Sequence, residues 1–262
     1  MIPYFDPSIA NAARIYDCLL GGKDNFEADR IAAGELTAIA PDAPQAALDN
    51  RNFLGHAVRF LAGEAGISQF LDIGSGLPSM GNVHEIAQEK NRDTRIAYVD
   101  YDPVVISHAQ NRLADEKNVI AIEGDLRQPE DIINSPMLKG TINFEQPVAV
   151  TLVAILHFLE DKDAHQAVRY LKDVMAPGSY LVISHATPDD ARDGEAEQIV
   201  GVYKHASANL HIRTKDQISR FFEGLELVPP GVVAAGNWRS KSPAQRVVCY
   251  AGAAKKAGEP PD

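Results

Sequence analysis

The side chains with chemistry to offer in this sequence stand at the ends of its apolar runs. Phe70-Leu71-Asp72-Ile73 is such a run, and it ends in Gly74-Ser75-Gly76. A glycine turn there, feeding a helix that starts near Ser79, would aim backbone N–H groups and the positive end of a helix dipole at one point, where an anionic group of a nucleotide-like ligand fits. A second run, Arg95-Ile96-Ala97-Tyr98-Val99, ends in Asp100, and an acid in that place can accept hydrogen bonds from both hydroxyls of a ribose. A third, residues 118–122, leads into Glu123-Gly124-Asp125-Leu126. The Asp125 carboxylate suits an adenine amino group and the Leu126 N–H suits a ring nitrogen. His157 and His185 follow the fourth and fifth runs. Each could serve as a general base near neutral pH; a structural hydrogen bond to a backbone carbonyl is the other reading of both.

Spacing alone leaves the cofactor open, because Gly74-x-Gly76-x-x-Ser79 followed by Asp100 is close to a nicotinamide fingerprint. Two residues favour S-adenosylmethionine, with S-adenosylhomocysteine as its product. Asp72 could accept a proton from an ammonium group, whereas a pyrophosphate gains nothing from a carboxylate beside it. Ser79 also stands where a pyrophosphate site expects its third glycine.

The elements that must position these residues follow from the pattern. From Phe70 onward, strands and helices alternate: five apolar runs separated by helical stretches at residues 103–114 and 163–175, among others, imply a parallel sheet wound in both directions. Two further β-branched stretches, residues 227–234 and 246–251, read as a closing antiparallel pair around Trp238. Residues 188–211 read as a polar, helix-like excursion near the active face. Ahead of the sheet lie three helices. The first is capped by Ser8 and stopped by Gly21-Gly22, the second runs over residues 25–38, and the third over residues 45–65. The loop Gly21-Gly22-Lys23-Asp24-Asn25 between helices could close over a ligand or be a simple turn. This gives a helical extension or lid at residues 1–66, a cofactor-binding domain at 67–252 and a flexible tail at 253–262.

Composition sets the outer bounds. The chain has 262 residues, 45% of them hydrophobic, and no apolar run of membrane length. The N-terminus lacks the pattern of a secretion signal, so a cytoplasmic location is expected. Cys18 and Cys249 form neither a CxxC pair nor part of a His/Cys ligand set, and no metal site is expected. A net charge of −11 repels a phosphate backbone, which argues against nucleic acid and for a small-molecule or protein substrate, the small molecule being the expected acceptor.

Asp72-x-Gly74-x-Gly76, Asp100-x-Asp102-Pro103, Gly124-Asp125-Leu126 and Leu156-His157, in this order, resemble the motifs of class I S-adenosylmethionine-dependent methyltransferases. More narrowly, Tyr16-Asp17-Cys18-Leu19-Leu20-Gly21-Gly22-Lys23-Asp24-Asn25-Phe26, Asn50-Arg51-Asn52-Phe53 and the segment from Gly178 to His185 resemble a bacterial family of S-adenosyl methyltransferases of uncharacterised substrate. The resemblance implies a doubly wound, mostly parallel seven-stranded α/β sheet with a helical N-terminal lid. It implies that Tyr16, Gly22 and Asn25 approach the cofactor and that Arg51 clamps its carboxylate. Asp72, Gly74, Ser75 and Gly76 would then meet the amino-acid end, Asp100 the ribose, Tyr101 or Asp102 the adenine face, and Asp125 with Leu126 the adenine edge. Pro78 departs from the general class, which has a third glycine there.

Three rivals frame that reading. A serine hydrolase fails because no glycine stands two residues before Ser79. An NAD-dependent oxidoreductase and an S-adenosylmethionine-binding module without catalysis remain as alternatives.

Overall fold

The computed structural model describes residues 6–78, 81–240 and 246–258. Three helices come first: α1 (Ala12–Leu19), α2 (Glu27–Ile39) and α3 (Ala43–Gly63). An alternation follows, of β1 (Gln69–Ile73), α4 (Val83–Gln88), β2 (Arg95–Asp100), α5 (Pro103–Arg112) and β3 (Val119–Glu123). It continues through the short helices α6 (Pro129–Asn134) and α7 (Pro136–Thr141) to β4 (Ala149–Val153), α8 (Asp161–Val174) and β5 (Tyr180–Ala186). The helices α9 (Glu195–Tyr203) and α10 (Lys215–Ser219) precede β6 (Glu226–Leu227), β7 (Val233–Ala234) and β8 (Cys249–Lys255).

Among the described residues the strands form one eight-stranded sheet in the order β3-β2-β1-β4-β5-β8-β6, with β7 also paired to β8. Strands β1 to β5 run parallel, and β8 runs antiparallel to β5, β6 and β7. This is the doubly wound, mostly parallel α/β sheet that the pattern predicts, with one strand more than seven. The extra strand arises because Pro229-Pro230 interrupts the stretch from 227 to 234. Proline has no N–H to give to a ladder, so the stretch splits into β6 and β7.

Strand alternation builds the two cores. Phe70 and Ile96 pack on one face with Phe53 and Leu61 of α3 and with Trp238, while their chain neighbours Leu71 and Ala97 pack on the other with Leu171 of α8 and Phe221. Helix α3, although within the predicted extension, thus belongs to the sheet's own packing. Ile15 of α1 and Leu36 of α2 instead form a third cluster, against Ile199 and Tyr203 of α9. These three helices roof the carboxyl ends of the strands. Strand order reverses between β1 and β4, and the crevice at such a switch point is where open α/β sheets take ligands.

Local chemistry moves several boundaries. Helix α1 begins at Ala12, capped by Asn11, whose side chain accepts from the Ala13 and Arg14 N–H groups; Ser8 donates instead to Asp6. Helix α4 begins at Val83, where Asn82 and Glu85 form a reciprocal cap. Ser79, at which the sequence places its start, lies outside the described residues. Strand β5 continues through His185 to Ala186. The expected tail fails over 253–255, because β8 lies between β5 and β6 and buries Ala253 and Ala254 completely.

Candidate active site

The glycine turn after β1 is built from main-chain bonds. The N–H groups of Gly74 and Ser75 both donate to the Val99 carbonyl, at 2.8 and 3.2 Å, and the Gly76 N–H donates to Asp100 Oδ2 at 2.9 Å. Gly74 has φ +73°, and a Cβ there would lie 2.5 Å from Ile155; position 74 thus excludes a side chain by conformation and by space. The expected anion cradle is therefore absent at this turn. Its three N–H groups are engaged within the chain, and the next described helix starts only at Val83.

Carboxylates face the ligand space instead. Asp72, in β1 at the switch point, and Asp100, at the end of the neighbouring β2, both line a cavity of about 240 Å³ beneath the roof. Asp72 Oδ1 accepts from the Thr151 hydroxyl at 2.5 Å, and its other oxygen has no partner among the described residues. Burial raises its pKa, against the Thr151 hydroxyl and the Arg51 charge. Burial likewise pushes Asp100 up to about 6, against the N–H donors of Asp102 and Gly76. Ser75 Oγ, in the same wall, is buried without a hydrogen-bond partner among the described residues. Tyr101 lines the cavity with its hydroxyl 3.3 Å from Ser207 Oγ. Arg51 does so from α3, its guanidinium held on the Gly81 carbonyl and Asn82 Oδ1.

The roof presents one face of α1. Ala13, Tyr16, Asp17 and Leu20 line the cavity, a spacing of three, four and seven that places them on one side of a helix. The Tyr16 hydroxyl donates to the Ala47 carbonyl and accepts from Asn50 Nδ2, both at 2.9 Å. Asp17 Oδ2 accepts from the Asp24 N–H and from Asn25 Nδ2, so this buried carboxylate shapes the loop at 21–25. Gly22 is required there because a Cβ would lie 2.0 Å from Asp17 Oδ1. Gly22 and Asn25 do not line the cavity; they seat Asp17, which does.

Local bonds occupy two of the acidic-motif side chains. Asp102 Oδ1 caps α5 through the Val104 N–H, and Oδ2 takes Asn11 Nδ2 at 2.6 Å, so this side chain is tied between helices and not to the cavity. Asp125 is clamped by the Arg127 guanidinium at 2.5 to 2.9 Å, and Leu126 packs in the core with Ile132. Neither lines the cavity.

The two histidines part company. His185 is fully buried; its Nδ1–H donates to the Ala186 carbonyl at 2.7 Å and its Nε2 accepts from Arg213 at 2.7 Å. Burial drives its pKa down to about 3, and it does not line the cavity. It is the structural histidine of the alternative reading, although the sequence does not point to Arg213. His157 does line the cavity, yet burial, with the nearby His185 ring and Arg213, holds its pKa well below the usual value. The expected near-neutral titration fails for both rings, because burial disfavours the charged form.

Beyond Asp17, the sequence reading also missed Asn50, Tyr203 and Cys249, which line the cavity from α3, α9 and β8. Only the helical spacing on α1 carried a signal for such residues. Among the described residues no helix is long and apolar enough to cross a membrane, and no group of His, Cys, Asp and Glu is placed to hold a metal ion.

Comparison with known proteins places this geometry. Residues 3–257 match the model of a family described as S-adenosyl methyltransferase. A candidate methyltransferase from Thermobifida fusca is 40% identical over 96% of both chains, with a TM-score of 0.90. A DUF574 family protein from Streptomyces avermitilis is 38% identical, covering 96% of this chain and 99% of its own, with a TM-score of 0.91. Human N-acetylserotonin methyltransferase, solved with S-adenosylmethionine, is 15% identical over 95% of this chain and 63% of its own, with a TM-score of 0.52, a likeness of fold alone. No curated protein sequence matches the chain.

Proposed function

The chain belongs to the S-adenosyl methyltransferase family, and on that premise we propose that it transfers the methyl group of S-adenosylmethionine to a small-molecule acceptor beneath the helical roof. The observation that carries this reading is the pair of carboxylates, Asp72 and Asp100, on the cavity wall beside a glycine turn whose own N–H groups are engaged. That edge suits a cation and a diol and offers a pyrophosphate nothing, which disfavours a nicotinamide cofactor.

When bound, S-adenosylmethionine supplies an electrophilic methyl group on a sulfonium. The unpartnered oxygen of Asp72 and the orphaned Ser75 hydroxyl fit the amino-acid end, and Arg51 fits its carboxylate. Asp100 would hold the ribose hydroxyls and Tyr101 would meet the base. Gly74 keeps this edge close to Ile155, so the chain aligns and encloses, and excludes water from the transfer. Tyr16 acts from the roof by fixing α1 to α3. The overall negative charge and the position of the cavity beneath the helical roof favour a small acceptor over a nucleic acid.

The test is to incubate the protein with methyl-labelled S-adenosylmethionine and a small-molecule cell extract. Label passing into new extractable products supports the transferase. Tight cofactor binding with no transfer in any extract would favour the binding-module reading instead.

A further inference from the structure

Away from Asp72 and Asp100 the cavity wall is largely apolar, with Leu19 of α1, Leu36 and Ala40 of α2, Phe158, Leu210 and Val248 among its side chains. The polar groups that interrupt it are mostly engaged: the Tyr16 hydroxyl with Ala47 and Asn50, and Asp17 with the loop at 21–25. His157 differs. Its Nδ1 accepts the Ala186 N–H at 3.3 Å, and its Nε2 has no partner among the described residues, although the residue lines the cavity.

A neutral imidazole that accepts at Nδ1 carries its proton on Nε2. Moving that proton to Nδ1 would set two N–H groups against each other, and a second proton is opposed by burial and by the Arg213 charge nearby. The ring therefore has a hydrogen to offer and no lone pair with which to take one.

We infer that His157 binds the methyl acceptor as a hydrogen-bond donor through Nε2–H, and that the acceptor is a mainly apolar small molecule with an ionised hydroxyl, of enol or acidic-phenol type. The inference rests on the transferase reading above. An ionised oxygen balances the step without a base: its lone pair bonds the methyl carbon as the carbon–sulfur bond breaks, that bond's electron pair stays on sulfur, and anion and sulfonium become a neutral ether and a thioether. With Asp72, Ser75, Arg51 and Asp100 given to the cofactor and Asp17 engaged by Asp24 and Asn25, the donor at His157 in the remaining, largely apolar wall selects such a compound over a cationic amine.

The test uses the protein saturated with S-adenosylhomocysteine. Calorimetry first establishes that this ligand binds; failure there sinks the cofactor reading itself. With the ligand bound, ¹H–¹⁵N spectra of the imidazole rings, recorded from about pH 5.5 to about pH 8.5, should show His157 neutral and protonated on Nε2 throughout. Above neutrality, 4-nitrophenol, as its phenolate, should shift that Nε2 resonance and bind more tightly than benzylamine, as its ammonium. In His157→Asn, whose side chain can still accept from Ala186 but has nothing at the Nε2 position, phenolate affinity should fall about tenfold. In His157→Gln, whose amide nitrogen can stand where Nε2 stood, it should be largely kept. A ring that titrates in this range, a proton on Nδ1, tighter binding of benzylammonium, or unchanged phenolate affinity in His157→Asn would each overturn the inference while leaving the cofactor reading intact.

Discussion

At the sheet edge, Asp72, Gly74 and Asp100 are held by ladder and turn hydrogen bonds to neighbouring main chain, and Gly76 by the Asp100 carboxylate, whereas the roof is held chiefly by side chains. Helix α1 is tied to α5 through Asn11 on Asp102 and to α3 through the Tyr16 hydroxyl on Ala47. Helix α9 is tied by Glu195 to Arg246, which also grips Asp42 ahead of α3. A wall fixed by its backbone keeps its geometry as long as the sheet stands. One fixed by a few ion pairs and hydrogen bonds can open alone, which a site that encloses a ligand on both sides requires.

The largest effect should come from the edge. Gly74→Ala adds a methyl group 2.5 Å from Ile155 at φ +73° and should cost about 3 kcal/mol of stability, from left-handed strain plus overpacking; thermal denaturation measures it. A variant with normal stability would mean that the turn is as adaptable as the roof. Next is the roof latch. Arg246→Ala leaves buried Glu195 without its cation and should cost about 2 kcal/mol. Hydrogen exchange should accelerate in α9 and not in β1; equal acceleration in both would erase the distinction between the two walls.

A pH dependence sharpens the comparison further. Asp100 is raised to about 6, so in the free protein it is protonated below that pH and ionised above it. A ribose that prefers the ionised form binds at full strength above pH 6, and affinity for S-adenosylhomocysteine should fall about tenfold per pH unit below it. Titrations across this range should show that slope in the wild type and lose it in Asp100→Asn. The smallest effect is at the second glycine. Gly76 has φ +64°, but the nearest atom to an added Cβ is Ala13 Cβ at 4.0 Å, so Gly76→Ala should cost about 1 kcal/mol, from strain alone. A loss as large as that at Gly74 would show that α1 presses on the turn harder than this spacing implies.

The same contrast explains what the sequence makes legible. Asp72, Gly74 and Asp100 occupy strand ends, where chain position dictates spatial position, and their place on the cavity could be read from spacing. Asp102 and Asp125 share the strand-end signal but are taken by partners two residues on, Val104 and Arg127. Such short-range competition is visible in sequence once looked for. His185 could not be read this way, because its fate depends on Arg213, 28 residues downstream. The roof was legible as helices and not as a site: which residues of α1, α3, α9 and β8 meet is decided by packing between distant segments. The strand count missed by one because two adjacent prolines split a stretch of otherwise suitable composition.

The most direct test of the account is a calorimetric titration of the purified protein with S-adenosylmethionine, S-adenosylhomocysteine and NAD, repeated on Asp100→Ala. Both adenosyl ligands should bind with about micromolar affinity, lose that affinity in the variant, and find no counterpart in NAD. Binding of NAD alone, or adenosyl affinity that survives loss of the Asp100 carboxylate, would contradict it.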